Sequence, residues 1–142
     1  MHHKTDYMKK LILVVLILGC ISAVVYYNWN RKNASIESVE PAFTTTSGLL
    51  YTSFEADEVA ANNQYLNKVV EVKGKVRELK KESNGDFVVT LDGSDMFGVI
   101  CRMDHDITIE DTALVGKEIA IKGICTGMLM DVVLVQCVFS NS

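Results

Sequence analysis

Hydrophobic positions in this chain of 142 residues fall into two kinds of pattern, one continuous block and a series of alternations. The block runs from Leu11 to Tyr27 and is apolar apart from Gly19, Ser22 and the two closing tyrosines. Seventeen helical residues span about 25 Å, at the short end of what a bilayer crossing needs. Tyr26, Tyr27 and Trp29 stand where an interfacial aromatic belt would sit, with Lys9 and Lys10 before the block and Arg31 and Lys32 after it. The alternations begin after residue 68. Val70, Val72 and Val76 alternate with Glu71, Lys73, Lys75 and Arg77, which predicts a half-buried strand. Leu79 continues it with a shift in parity. Ser83-Asn84-Gly85-Asp86 is a turn signal, after which Phe87, Val89 and Leu91 share a face. Asp92-Gly93-Ser94-Asp95 turns again, and Phe97, Val99 and Cys101 point inward while Ile100 and Arg102 point out. Ile119 and Ile121 open a fourth strand, residues 126–131 reverse the chain, and Val133, Val135 and Cys137 share one face of a fifth.

Between block and strands lie a linker and a helix. Residues 30–48 sustain no hydrophobic period and hold the single proline, Pro41. Thr52-Ser53-Phe54-Glu55 has the form of a capping box. Phe54, Val59, Ala60 or Ala61, and Tyr65-Leu66 then recur at near-helical spacing, predicting a helix over 54–66 whose Val59/Ala60/Leu66 face covers a barrel end. The chain is thus divided into an N-terminal segment (1–10), an anchor (11–29), a linker (30–48) and one globular domain (49–142).

A phrase is written twice: Lys68-Val-Val-Glu-Val-Lys-Gly74 and Lys117-Glu-Ile-Ala-Ile-Lys-Gly123. A glycine inside a strand suggests a bulge or a bend, and two such strands suit the corners of a small closed barrel. A helix, three meander strands, a longer connection and a final hairpin match a mainly β fold, a five-stranded OB-fold barrel with a capping helix.

The residues that carry this pattern also resemble a known family. Residues 56–76 (ADEVAANNQYLNKVVEVKGKV), 96–101 (MFGVIC) and 121–137 (IKGICTGMLMDVVLVQC) resemble the tRNA_anti-like family of OB-fold proteins. The resemblance covers nearly all of the chain after residue 50. It implies an OB barrel behind an N-terminal membrane segment in a bacterial protein. It implies no catalytic residues and no cofactor.

Compartment follows from the apolar block. Three readings compete: an uncleaved signal anchor, a cleaved secretory signal, and a lipoprotein signal ending at Cys20, since Ile17-Leu18-Gly19-Cys20 has the form of a lipobox. A lipidated cysteine is normally followed by a polar tether, whereas residues 21–27 stay largely apolar, which favours the anchor. The small excess of lysine before the block favours a single pass through a bacterial inner membrane with the domain in the periplasm or outside. The triplet Asn33-Ala34-Ser35 fits a glycosylation acceptor, which matters only in a eukaryotic secretory route.

Charge narrows the partners. From residue 49 onward nine Lys/Arg face fifteen Asp/Glu. Phosphate neutralisation supplies most nucleic-acid affinity, so this acidic balance makes nucleic acid an unfavoured ligand. A protein, a glycan or a small molecule is the expected one. Candidate contacts are Arg102, on the outward face of the third strand, and Met128, Leu129 and Met130, three large apolar residues at a hairpin tip. The tip is read either as a contact surface for a partner or lipid or as a plug at the barrel end opposite the helix.

Cys101, Cys125 and Cys137 are small buried hydrophobes or, in an oxidising compartment, a disulfide, with Cys125–Cys137 the preferred pair. Their spacing fits no metal site. His105, between Asp104 and Asp106, reads as a solvated loop residue. So do the acidic residues Asp92, Asp95, Glu110 and Asp111, which lack the regular oxygen spacing of a calcium loop. With no nucleophile–base pair and no metal motif, the expectation is a non-enzymatic binding module.

Overall fold

The structure, a computed structural model, describes residues 2–32, 36–110 and 112–141. Contacts divide the chain into two units, Met1–Ala34 and Ser35–Ser142. The first is one helix, α1 (His2–Lys32), within which Tyr7–Tyr27 is long and apolar enough to cross a membrane. Its leucines, isoleucines and valines are exposed throughout, as expected of a helix apolar on every side. The triplet at 33–35, Asp111 and the side chains of Trp29, Arg31 and Lys32 lie outside what is described.

The described residues of the second unit form six strands: β1 (Phe43–Thr46), β2 (Val69–Lys81), β3 (Phe87–Asp92), β4 (Gly98–Met103), β5 (Glu118–Met128) and β6 (Val132–Phe139). Their order is β1-β2-β3-β4-β6-β5, and a β2–β5 pairing closes β2 to β6 into a five-stranded barrel. The β4–β6 pair is parallel and the other barrel pairs are antiparallel. Closure depends on β2, which exchanges partners along its length: Val69 to Lys75 pair with β5, and Val76 to Lys81 with β3. Val70, Val72, Val76, Val89, Leu91, Val99, Ile121 and Leu134 fill the interior at 0–1% exposure. A core this dry accounts for the alternation in the sequence, because each strand turns every second residue inward.

The two repeated glycines have a spatial rather than a conformational role. Neither Gly74 nor Gly123 has positive φ. A methyl group on Gly74 would strike the Ser47 side chain and come within 3.3 Å of the Leu91 Cβ. One on Gly123 would meet the Cys137 Sγ and the Leu134 Cβ. Gly123 also falls where the β5–β6 register slips, between Lys122 and Ile124. The slip is taken up by Gln136, in the left-handed region at φ 53°. This corrects the expected parity of the last strand. Val132 and Leu134 face inward, the chain slips, and Cys137 is the next residue in.

Residues 36–48, expected as linker, are part of the folded unit. Ile36 is buried, and β1 pairs in parallel with β2 at Val70 to Lys73, the part of β2 that β3 does not reach. Lys122, 8% exposed, donates from Nζ to the carbonyls of Glu37 (2.7 Å) and Val39 (2.8 Å). Its cross-strand neighbour Glu71 accepts from the Ser140 hydroxyl. This strap has no hydrophobic period because main-chain hydrogen bonds hold it. Lys122→Met leaves two carbonyls without their donor and is expected to cost about 1–3 kcal/mol. The checks are urea denaturation and faster proteolysis at residues 36–42; unchanged cleavage there would show that the strap is held by something else.

The expected single helix is two, α2 (Ser47–Ala56) and α3 (Glu58–Tyr65). Thr52 is not a cap. Thr46 caps α2 by accepting from the Leu49 N–H at 3.3 Å, and Asp57 caps α3 by accepting from the Ala60 N–H at 3.0 Å. The face turned to the barrel is Leu50, Tyr51, Phe54, Ala61 and Tyr65, whereas Val59 is 72% exposed.

Candidate ligand-binding face and loop tips

The outer surface of β2, β3 and β4 follows from their register. Val88 pairs with Arg102 and Thr90 with Ile100, while Lys80 pairs with Val88 and Glu78 with Thr90. Two outward rows result, Lys80–Val88–Arg102 and Glu78–Thr90–Ile100. Arg102 is exposed, and Val88, Thr90 and Ile100 are half-buried. Among the described residues Arg102 has no ion-pair or side-chain hydrogen-bond partner. The face is a shallow platform with one cation at each end of a row. The nearby aromatic rings are turned to other uses: Phe97 stacks on Tyr51 at 6.4 Å, and the Lys81 ammonium lies over the Phe87 ring at 5.2 Å.

Arg77 was not anticipated from the sequence and has a different role. Its Nε meets Asp92 Oδ1 at 2.6 Å, and its Nη atoms donate to the carbonyls of Met96 (3.1 Å) and Ser94 (2.5 Å). An open polar cleft lies beside it, lined by Asp92, Gly93, Ser94 and Asp95. The guanidinium is committed to bracing the β3–β4 loop. The available signal was the shift in parity of β2, which falls at Arg77, between Val76 and Glu78.

The hairpin tip divides. Met128 is half-buried and packs on the core, while Leu129 is 92% and Met130 65% exposed. Asp131 Oδ1 accepts from the Gly98 N–H at 2.7 Å, fastening the tip beside the β3–β4 loop. On its other flank Leu66, from the end of α3, lies close to Gly127. The tip therefore shares the barrel end that the helices cover and does not plug the opposite one.

The cysteines are free and, in the barrel, buried. Cys125 pairs with Leu134, because the β5–β6 turn is centred at residue 130, where Met128 pairs with Val132, and the register slips between Cys125 and Gly127. The preferred Cys125–Cys137 bridge therefore fails on register. Cys137 instead neighbours Cys101, and burial together with that second thiol pushes its pKa well up. Burial raises that of Cys125 too. Thiols held protonated in a dry core are poor nucleophiles. Among the described residues no group of three His, Cys, Asp or Glu side chains is arranged to hold a metal ion.

His105 is exposed but engaged. Its Nδ1 lies 2.6 Å from Asp86 Oδ1, tying the loop after β4 to the β2–β3 turn. The hydrogen bond and charge of Asp86 raise its pKa above 6.5, with smaller contributions from Asp104 and Asp106. A raised folded-state pKa means that the contact is fully present below about 6.5 and is lost as pH rises through the folded value. An NMR titration is expected to give a His105 midpoint above 6.5 that falls in Asp86→Asn. An identical midpoint in both proteins would show that the contact does not persist in solution.

Comparison with known proteins agrees with the fold. The tRNA_anti-like family model matches residues 1–139, and the chain belongs to that family. Among solved structures, the chain is similar to a protein of Klebsiella pneumoniae subsp. pneumoniae MGH 78578, provisionally named a nucleic acid-binding lipoprotein. The identity is 18% and the TM-score 0.52, over 68% of this chain and 91% of that one. At that identity the likeness concerns the fold. No curated protein matches significantly.

Proposed function

We propose that this member of the tRNA_anti-like family is a membrane-anchored, non-enzymatic binding module of a bacterial inner membrane. Its barrel faces the periplasm or exterior and holds a protein, glycan or small-molecule ligand on the outer face of β3 and β4. The observation that carries the reading is Arg102. It is presented to solvent without an intramolecular partner among the described residues, beside half-exposed Val88, Thr90 and Ile100, while Arg77 and Lys122 are consumed by the fold. A cation among small apolar groups suits an anionic or polar ligand with one apolar flank. The span Tyr7–Tyr27 supports the anchor. The lipoprotein alternative through Cys20 keeps the same side of the membrane and changes only the attachment. A reporter fused after residue 142 tests the topology, and activity only of a cytoplasmic reporter would overturn it.

A second reading, nucleic-acid binding, draws on the provisional name of the Klebsiella protein and on the Lys80–Arg102 row. Against it stand the acidic balance and the lack of an exposed stacking aromatic in the two outward rows. If single-stranded RNA is the ligand, Arg102→Ala weakens retention roughly tenfold and lowers the salt slope by about one. Retention that ignores both salt and this substitution would remove the nucleic-acid reading.

A further inference from the structure

We propose that the helix-capped end of the barrel is a lipid-insertion surface that seats the domain on a zwitterionic bilayer. The proposal rests on the anchored reading above and adds the partner and orientation. Three observations carry it. The first is placement. The Asp131–Gly98 hydrogen bond joins the β5–β6 tip to the β3–β4 loop, so Leu129 and Met130 share one end with Met96, itself 75% exposed. Leu66 flanks the tip at its base, and Leu49, 63% exposed, follows Gly48, which lies against Gly93 of that loop. Large apolar side chains presented together on turn tips are costly in water and gain on entering the acyl boundary.

The second observation is confinement. Only residues 28–35 separate the end of the span at Tyr27 from Ile36, the first buried side chain of the folded unit. Even fully extended they reach at most ~28 Å. A domain on so short a tether meets the adjoining bilayer at high effective concentration, so a few shallow insertions suffice. The third observation is charge. The two tips, residues 93–97 and 127–131, contain Asp95 and Asp131 and no lysine or arginine. Insertion is therefore apolar, and anionic headgroups oppose it. This selects a zwitterionic surface over an anionic one.

The test uses the full chain with Cys20→Ser, reconstituted in phosphatidylcholine nanodiscs. A cysteine introduced at Leu129→Cys or Asn84→Cys, the latter in the exposed β2–β3 turn, carries an environment-sensitive fluorophore, while Cys101, Cys125 and Cys137 stay buried and unlabelled. Alkaline extraction first establishes that the chain is integral; a chain that washes off removes the anchored reading and this proposal with it. In an integral chain, the expected result is at least twofold stronger quenching by brominated lipid at Leu129→Cys than at Asn84→Cys. The difference is expected to shrink when phosphatidylglycerol is added, and to vanish at Leu129→Cys when Met96→Asp and Met130→Asp are introduced. Equal, weak quenching at both sites in an integral chain would overturn the proposal and leave the anchored reading intact. So would quenching of the Leu129→Cys label by water-soluble iodide that is lost on concentration, which would assign the surface to a second copy or a soluble protein.

Discussion

Gly98→Ala is expected to destabilise the barrel by roughly 3 kcal/mol or more, lowering Tm by on the order of 10–20 °C in near-UV circular dichroism of the full chain. Gly98 opens β4 opposite Asp92, the last residue of β3, where the chain has just turned through residues 93–97. A methyl group there would collide with the Leu91 carbonyl oxygen and lie 3.2 Å from the Gly93 nitrogen. Both obstacles are backbone, so no side-chain rotation relieves the clash. The Gly98 N–H also donates to Asp131, so any shift of β4 breaks the fastening of the β5–β6 tip. Gly85→Ala is the control. Gly85 has φ +95° with nothing within 4 Å of the added atom, so only the left-handed backbone penalises it, by about 1 kcal/mol. Equal losses in the two variants would mean that conformation, and not close approach, is what Gly98 supplies.

This contrast shows what the sequence could carry. Gly74 and Gly123 stood out because they interrupt alternation, and the strands around them were readable because the barrel imposes period two on Val70, Val72, Val89 and Leu91. The five-stranded order followed from those runs and from the longer connection after the third. Gly98 gave no signal, since a glycine beside a turn is ordinary and its crowding comes from Leu91 and Gly93 across the hairpin. β1 was missed for a similar reason. Phe43-Thr-Thr-Thr46 has strand composition, but four residues are too few to show a period, and its partner lies on β2, more than twenty residues away. The cysteine pairing was misread because the centre of a turn fixes register, and residues 127–131 offer two centres one residue apart. At the candidate site Arg102 was legible by parity alone, whereas the bracing by Arg77 required the loop carbonyls of Ser94 and Met96.

Phe54→Ala is expected to be the costlier of the two large changes, at about 3–5 kcal/mol, a sizeable share of the ~5–15 kcal/mol that holds a domain folded. Phe54 is 2% exposed and lies 6.1 Å from the Tyr65 ring, which meets Phe43 edge-on at 5.2 Å. One side chain thus joins α2 to α3 and, through Tyr65, to β1, over the mouth of the barrel. Truncation leaves a void among three elements that are each held by the others, and they can close on it only by moving the β3–β4 loop that Tyr51 stacks against through Phe97. Val59→Ala supplies the discriminating comparison. The Val59/Ala60/Leu66 face expected from the sequence would bury Val59, and its loss would then cost about 1–3 kcal/mol. The buried face is instead Leu50, Tyr51, Phe54, Ala61 and Tyr65 and Val59 is 72% exposed, so the change is expected within about 0.5 kcal/mol of neutral. Urea midpoints for the two variants decide between the two faces: a large loss at Phe54 with none at Val59 puts Phe54, Ala61 and Tyr65 against the barrel, and comparable losses would return Val59 to the buried side.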